Sequence, residues 1–279
     1  ACANTNSVWV LDLASGTVQE RIGVSLEPDA PPGATPNSVS LSHDGRRLSV
    51  ANADNNSVAL VDVSTPGRSE VLGLIPTGWY PTAARFSHDD ARLFILSGKG
   101  LAPTANPRLR PGPSSAGERN YIAGMLTGTL TVLPVPDRAA LTAMTRTVRS
   151  LTPYSDATRL APAGAPVGSP VPARVGGVSP IKHVFYVIRE NRTFDQVLGD
   201  VGRGSGDRSL ALFGEDVTPN AHALAREFGV LDNFYVDAEV SYDGHAFSMG
   251  AYASDFVEKI WPLNYASRGA QYLSEGTGL

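Results

Sequence analysis

Along the first hundred residues apolar and polar positions alternate in short runs broken by turn residues, the period-2 pattern of half-buried strands. Ser7 to Leu13 (SVWVLDL) alternates, Ala14-Ser15-Gly16 turns the chain, and Thr17 to Val24 resumes. Ser57 to Val63 (SVALVDV) repeats the pattern before Ser64-Thr65-Pro66-Gly67. The chain also repeats itself: PNSVSLSHDGRRLSVA from Pro36 aligns with PTAARFSHDDARLFIL from Pro81, 45 residues on, with Ser-His-Asp and Arg-Leu in register. A period near 45 with about four strands per unit is the mark of propeller blades. The SHDG and SHDD pieces fit turns, and Leu48 and Leu93 open the next buried strand. His43 and His88 have the chemistry of metal ligands, but their recurrence at one point of each repeat favours a structural turn role.

The rhythm breaks between Ser97 and Thr127, a Gly-, Pro-, Asn- and Arg-rich insertion of the kind that is either disordered or functional. A strand returns at Gly128 to Pro134. Asp137 to Leu151 then reads as a helix with Leu141, Met144, Val148 and Leu151 on one face, ended by Pro153. Ala161 to Pro180 is rich in Pro, Ala and Gly and reads as an extended linker.

Beyond it the pattern changes to α/β. Ile181 to Ile188 (IKHVFYVI) is apolar with little alternation, as expected of a parallel strand buried on both faces. It runs into Arg189, Glu190, Asn191, Arg192, Thr193 and Asp195. In open α/β sheets ligands bind beyond the carboxyl ends of strands, so these residues mark either a site or a solvated turn capping the next helix. A short helix at Thr193 to Leu198 and a glycine-rich stretch, Gly199 to Gly214, follow. Thr218 then serves as N-cap with Pro219 at the first helical position, Ala221 to Phe228 is helical, and Gly229 closes the helix. A strand at Val230 to Val236 delivers Asp237, Glu239, Ser241, Asp243 and His245 to its far end, and Gly244 to Ile260 reads as the next helix. Ser241 is there either a simple N-cap or a nucleophile held where backbone N–H groups and the helix dipole favour negative charge.

Composition narrows the function. The 279 residues suffice for one large or about two domains, and a net charge of −4 gives no electrostatic case for a nucleic-acid surface. No apolar run approaches the roughly 18 residues of a membrane helix. The single cysteine, Cys2, excludes an internal disulfide framework and a thiolate-rich metal site. The chain enters a strand almost at once without an initiating Met or a leader, and is expected to be an internal fragment.

Two resemblances follow from these residues. SHDGRRLSVANADNNSVALVDV, from Ser42 to Val63, resembles the YVTN family of β-propeller repeats. IKHVFYVIRENRTFD resembles the opening motif of the phosphoesterase family that includes bacterial phospholipase C and acid phosphatase enzymes. TPNAHALAREFGVLDNFYVDAEVS is similar to the stretch leading to the nucleophile in the wider alkaline phosphatase-like superfamily. The resemblances imply a multidomain chain: a partial all-β propeller at residues 1–151, a linker at 152–179, and at 180–279 the N-terminal part of an α/β/α alkaline phosphatase-like domain. They place Glu190 on a metal-ligand carboxylate, Asn191 on a phosphate-contacting amide with Arg192 beside it, and Ser241 on the attacking nucleophile.

The implied activity is divalent-metal-dependent hydrolysis of a phosphate ester through a phosphoserine. Glu190 would hold the ion, with Asp243 and Asp237 either further ligands or turn residues, and His245 would protonate the leaving oxygen, contact the phosphate or serve only in packing. The family's later ligands lie beyond Leu279, so the expectation is weak metal binding and little activity for this stretch, with a periplasmic or extracellular parent hydrolase. A different class remains open: a binding or cell-surface protein whose propeller engages a protein or surface ligand beside a catalytically dead α/β part. A sulfatase is disfavoured because Ser241-Tyr242-Asp243-Gly244 lacks the Pro and Arg that its maturation needs.

Overall fold

A computed structural model describes residues 1–28, 30–102, 126–152, 166–172, 176–236, 238–266 and 268–269. Most of the expected insertion, much of the expected linker and Asp237 lie outside the described residues. Two compact units are present. Among the described residues the first holds 1–102, 126–152 and 238–269, and the second holds 166–236.

The described chain is mostly antiparallel β-sheet with a few helices, and its sheets are open. In the first unit β1 (Ser7–Leu11) pairs with β2 (Val18–Gly23). Strands β3 (Pro36–Leu41), β4 (Arg47–Asn52), β5 (Ser57–Asp62) and β6 (Glu70–Pro76) form a four-stranded sheet in chain order. Strands β7 (Pro81–Phe86), β8 (Arg92–Ser97) and β9 (Thr129–Pro134) form a third sheet. The helices in chain order are α1 (Arg138–Ser150), α2 (Phe194–Leu198), α3 (Pro219–Phe228), α4 (Ser241–Gly250) and α5 (Asp255–Tyr265).

The four-stranded sheet is the centre of the first unit, because the period-2 alternation of β5 sends buried side chains to both of its faces. Ala59 and Val61 join Val8, Ile22, Val24 and Leu74 in one apolar cluster. Val58 and Leu60 join Ile75, Ala84, Leu93 and Ile95 in another. The half-buried, alternating strand expected at Ser57 to Val63 is thus covered on both sides, with Ser57 to Val61 all buried and no polar face.

The edge strand β6 is covered by α1. Asp137 caps the helix by accepting the Ala140 N–H at 2.8 Å, and Leu141 and Val148 are its buried residues. Thr145 accepts the Leu74 N–H at 2.8 Å, satisfying an edge donor of the kind that otherwise invites another chain. The approach is close enough that a Cβ on Gly73 would lie 2.6 Å from Thr145 Oγ1 and 2.8 Å from Leu141 Cγ.

The two Ser-His-Asp turns fold alike. Ser42 Oγ donates to Asp44 at 2.6 Å and accepts the Arg47 N–H at 2.9 Å; Ser87 Oγ donates to Asp89 at 2.5 Å and accepts the Arg92 N–H at 2.9 Å. Where the first turn has Gly45 at φ 71° the second has Asp90 at φ 55°. That left-handed backbone suits glycine, but the Asp90 carboxylate accepts the N–H groups of His43 at 2.7 Å and Asp44 at 2.9 Å, binding one turn to the next.

Four expectations differ from the structure. Residues 181–188 and 230–236 form no strand, and Val184, Phe185, Tyr186 and Val187 are 67 to 90% exposed. A parallel strand takes its backbone hydrogen bonds from neighbouring strands, and among the described residues none supplies them. Gly244 to Ile260 is two helices, because Ala251 turns left-handed at φ 54° and Ser254 caps a new helix by accepting the Val257 N–H. Thr218 stands at the N-cap of α3 with its hydroxyl turned to the carbonyls of Phe213 and Gly214 instead of the helix N–H groups.

The second unit is organised around His222, which is fully buried on α3. Its Nε2 lies 2.8 Å from Asp200 Oδ1 and its Nδ1 lies 2.9 Å from the Thr218 carbonyl. Thr193 caps α2 in a reciprocal box with Gln196.

Candidate functional site

Ser241 is the first residue of α4, half-buried, with Val240 at the N-cap. His245, exposed, stands four residues on and therefore on the same helix face, with side chains leaning back toward the helix N-terminus. Between them Asp243 is fully buried, and its carboxylate accepts the N–H groups of Glu239 at 3.0 Å, Val240 at 2.9 Å and Gly244 at 3.0 Å. The residue expected as a metal ligand thus also ties the turn that presents Ser241.

Around this turn lies a buried charge cluster. Gly98 and Lys99 leave β8 hydrogen-bonded to the carbonyls of Tyr80 and Trp79 at 2.8 and 3.1 Å, which fixes the lysine backbone. Its ammonium lies 2.9 Å from Glu239 Oε1, 3.1 Å from Glu258 Oε2, and 4.7 Å from the centroid of the Tyr80 ring. Glu258 is buried on α5. Ligand oxygens of Glu239, Asp243 and Glu258 all lie within 4.8 Å of one another.

Negative charge is in excess here. Burial pushes Glu258 up to about 7; the Lys99 ammonium opposes this, and the carboxylates of Asp54 and Glu239 reinforce it. Burial likewise raises Glu239 against the pull of Lys99, and raises Asp54 against the hydrogen bond from Thr35. Burial works against the charged form of Lys99, but Glu258 and Glu239 outweigh it and hold the ammonium above its usual range. Tyr80 is pushed up by burial and then by the same carboxylates.

Three oxygen donors this close suit a hard divalent cation, so the residues fit the metal by donor type. The Lys99 ammonium supplies the positive charge in the structure described here. Lys99, Glu239 and Glu258 were absent from the expected ligand set. Glu239 is visible two residues before Ser241, but nothing in the sequence ties it to a lysine in a glycine-flanked turn or to Glu258 on the next helix.

The remaining expected site residues belong to the second unit. Glu190, Asn191 and Arg192 are exposed. Arg192 donates to the Asn191 carbonyl at 2.7 Å, and its guanidinium lies 5.2 Å from the Phe213 ring centroid.

No family model matches the chain, and no curated protein matches it. Among solved structures, hydrazine synthase of Kuenenia stuttgartiensis is similar over 34% of this chain and 24% of its own, at 22% identity and a TM-score of 0.29. A functionally unknown protein from Desulfotomaculum acetoxidans is similar over 35% of this chain and 30% of its own, at 20% identity and a TM-score of 0.28. The chain thus spans less than a third of either protein.

Proposed function

We propose that the chain belongs to a metal-dependent phosphoesterase in which Ser241 is the nucleophile, carried beside consecutive blades of a YVTN-type β-propeller and leading into an α/β/α domain. The observation that carries this reading is local: Ser241 opens α4, His245 shares its helix face, and Glu239 and Asp243 flank it within one carboxylate cluster. As Ser241 Oγ attacks phosphorus its hydroxyl proton passes to His245, the bond to the leaving oxygen breaks, and His245 gives that oxygen the proton. Water then cleaves the phosphoserine. A divalent cation held by Glu239, Asp243 and Glu258 would supply charge neutralisation on the phosphoryl group when bound. Separately, Asn191 and Arg192 are proposed as phosphate-contacting residues and Glu190 as a metal-ligand carboxylate, on the strength of the motif Glu-Asn-Arg-Thr-Phe-Asp alone. The sheet β3-β4-β5-β6 and the recurring Ser-His-Asp turn support the propeller part of the reading.

A second reading is favoured by one observation: the Lys99 ammonium already balances Glu239 and Glu258. In that reading the cluster is structural and the protein binds a surface ligand through its β-sheets. Incubation with an aryl phosphate and Mn²⁺, followed by acid quench and mass spectrometry of the Ser241 peptide, separates the two. The enzyme yields a phosphorylated peptide only with metal; an unmodified peptide under all conditions supports the binder.

A further inference from the structure

The Ser-His-Asp turns bring together two residues that lie 45 positions apart. The rings of His43 and His88 stand edge to face with centroids 4.4 Å apart and an interplanar angle of 63°. Both residues are exposed. The backbone beneath them is fixed: each turn is closed by its own serine and aspartate, and Asp90 clamps the two turns by accepting the N–H groups of His43 and Asp44. Asp44 and Asp89 each spend a carboxylate oxygen on the hydroxyl of the serine in their own turn. Among the described residues no side chain is hydrogen-bonded to either imidazole. A turn role accounts for the serines and aspartates of this repeat and leaves the histidines without a task.

We infer that His43 and His88 form a surface site for a borderline divalent ion of the Zn²⁺, Ni²⁺ or Cu²⁺ class, bridging two successive repeats. Imidazole suits these ions and is a poor donor for Mg²⁺ or Ca²⁺, which distinguishes the site from the carboxylate cluster near Ser241. An ion bound by two imidazoles at about 2.0–2.1 Å in tetrahedral geometry holds their nitrogens about 3.3 Å apart. Ring centroids at 4.4 Å put that separation within reach of side-chain rotation alone, with no movement of the hydrogen-bonded turns. Water completes the coordination at an exposed site. Since the two ligands come from different sheets, β3–β4 and β7–β8, the ion acts as a clip between repeats and stabilises the chain by mass action.

The test is calorimetric titration of the whole chain with NiCl₂ and ZnCl₂, beside His43→Ala, His88→Ala, His88→Gln and Glu258→Gln. These histidines are exposed turn residues whose backbone N–H groups survive substitution, so the fold is retained. The expected result is a Ni²⁺-binding step whose affinity falls at least about tenfold in each histidine variant and persists in Glu258→Gln, which removes a ligand of the carboxylate cluster alone. A rise in Tm with Ni²⁺ accompanies it and is missing in the same three variants. No uptake of either ion by the folded chain, or uptake equal in all variants, overturns the inference.

Discussion

The Lys99 ammonium lies 2.9 Å from the Glu239 carboxylate, although 140 residues separate the two in sequence. This contact and its partner at Glu258 join the end of β8 to the turn that presents Ser241, so one lysine both holds the helices to the sheet and balances a surplus of buried acid. Lys99→Met keeps most of the stem and removes the charge. The expected loss of stability at pH 8 is about 3 kcal/mol, because breaking a buried pair leaves its carboxylates uncompensated. Urea unfolding measures it, and Lys99→Met combined with Glu258→Gln is expected to recover part of the loss.

Glu258 gives that cluster a pH dependence. Its carboxyl titrates at about 7 in the folded chain against 4.5 ordinarily, so the folded state holds the proton more tightly than the unfolded chain. Its contribution to stability is therefore complete below about 4.5 and is lost as pH rises through about 7. Glu258→Gln should flatten this part of the stability curve and leave the variant more stable than the wild type at pH 8. A wild-type curve flat between pH 5 and 8 would speak against the buried surplus of charge.

The closeness of α1 to the sheet sets a steric test. Gly73→Ala places a methyl group 2.6 Å from Thr145 Oγ1 and 2.8 Å from Leu141 Cγ, and one of these must yield. A cost of about 1–3 kcal/mol is expected. Thr145→Ala in the same chain should return part of it, at the expense of the hydrogen bond to Leu74. Equal stability of Gly73→Ala and wild type would mean that the helix is not seated as described.

His222 offers a spectroscopic check on the second unit. Burial disfavours its charged form, but the hydrogen bonds to Asp200 and Thr218 prevail and hold its pKa above the usual 6.5. Such a group stabilises the fold fully below its unfolded pKa, and the contribution fades as pH rises through the folded value. Asp200 is held below its usual range by the same pair. Titration of the His222 ring followed by NMR should show a midpoint that falls in Asp200→Asn.

Much of the β-sheet was legible in the sequence because its signals are local. The alternation of SVWVLDL, the turns Ser64-Thr65-Pro66-Gly67 and the 45-residue repeat depend only on neighbours in the chain, and β1, β2, β5 and the strands flanking the two Ser-His-Asp turns lie where that pattern put them, whereas β6 had no such signal. The segments IKHVFYVI and VLDNFYV carry an equally clear apolar signal, but pairing is not local, and among the described residues they are not in strands. The break at Ala251 was hidden, since alanine ordinarily favours helix and only Ser254 marks a new start. For the site, Ser241, Asp243 and His245 could be read from one stretch, whereas Lys99 and Glu258 could not, because an ion pair between distant residues leaves no period, spacing or motif.

Attack of Ser241 on phosphorus makes aryl phosphate cleavage dependent on that hydroxyl. The most direct measurement is release of the aryl alcohol from aryl phosphate monoesters and diesters by high concentrations of this chain and of Ser241→Ala, each with Mn²⁺, Zn²⁺, Ca²⁺ or chelator. Slow, metal-dependent release by the wild type is expected, reduced at least about a hundredfold in Ser241→Ala. Equal release by both chains, or none by the wild type with any ion, would contradict attack by Ser241.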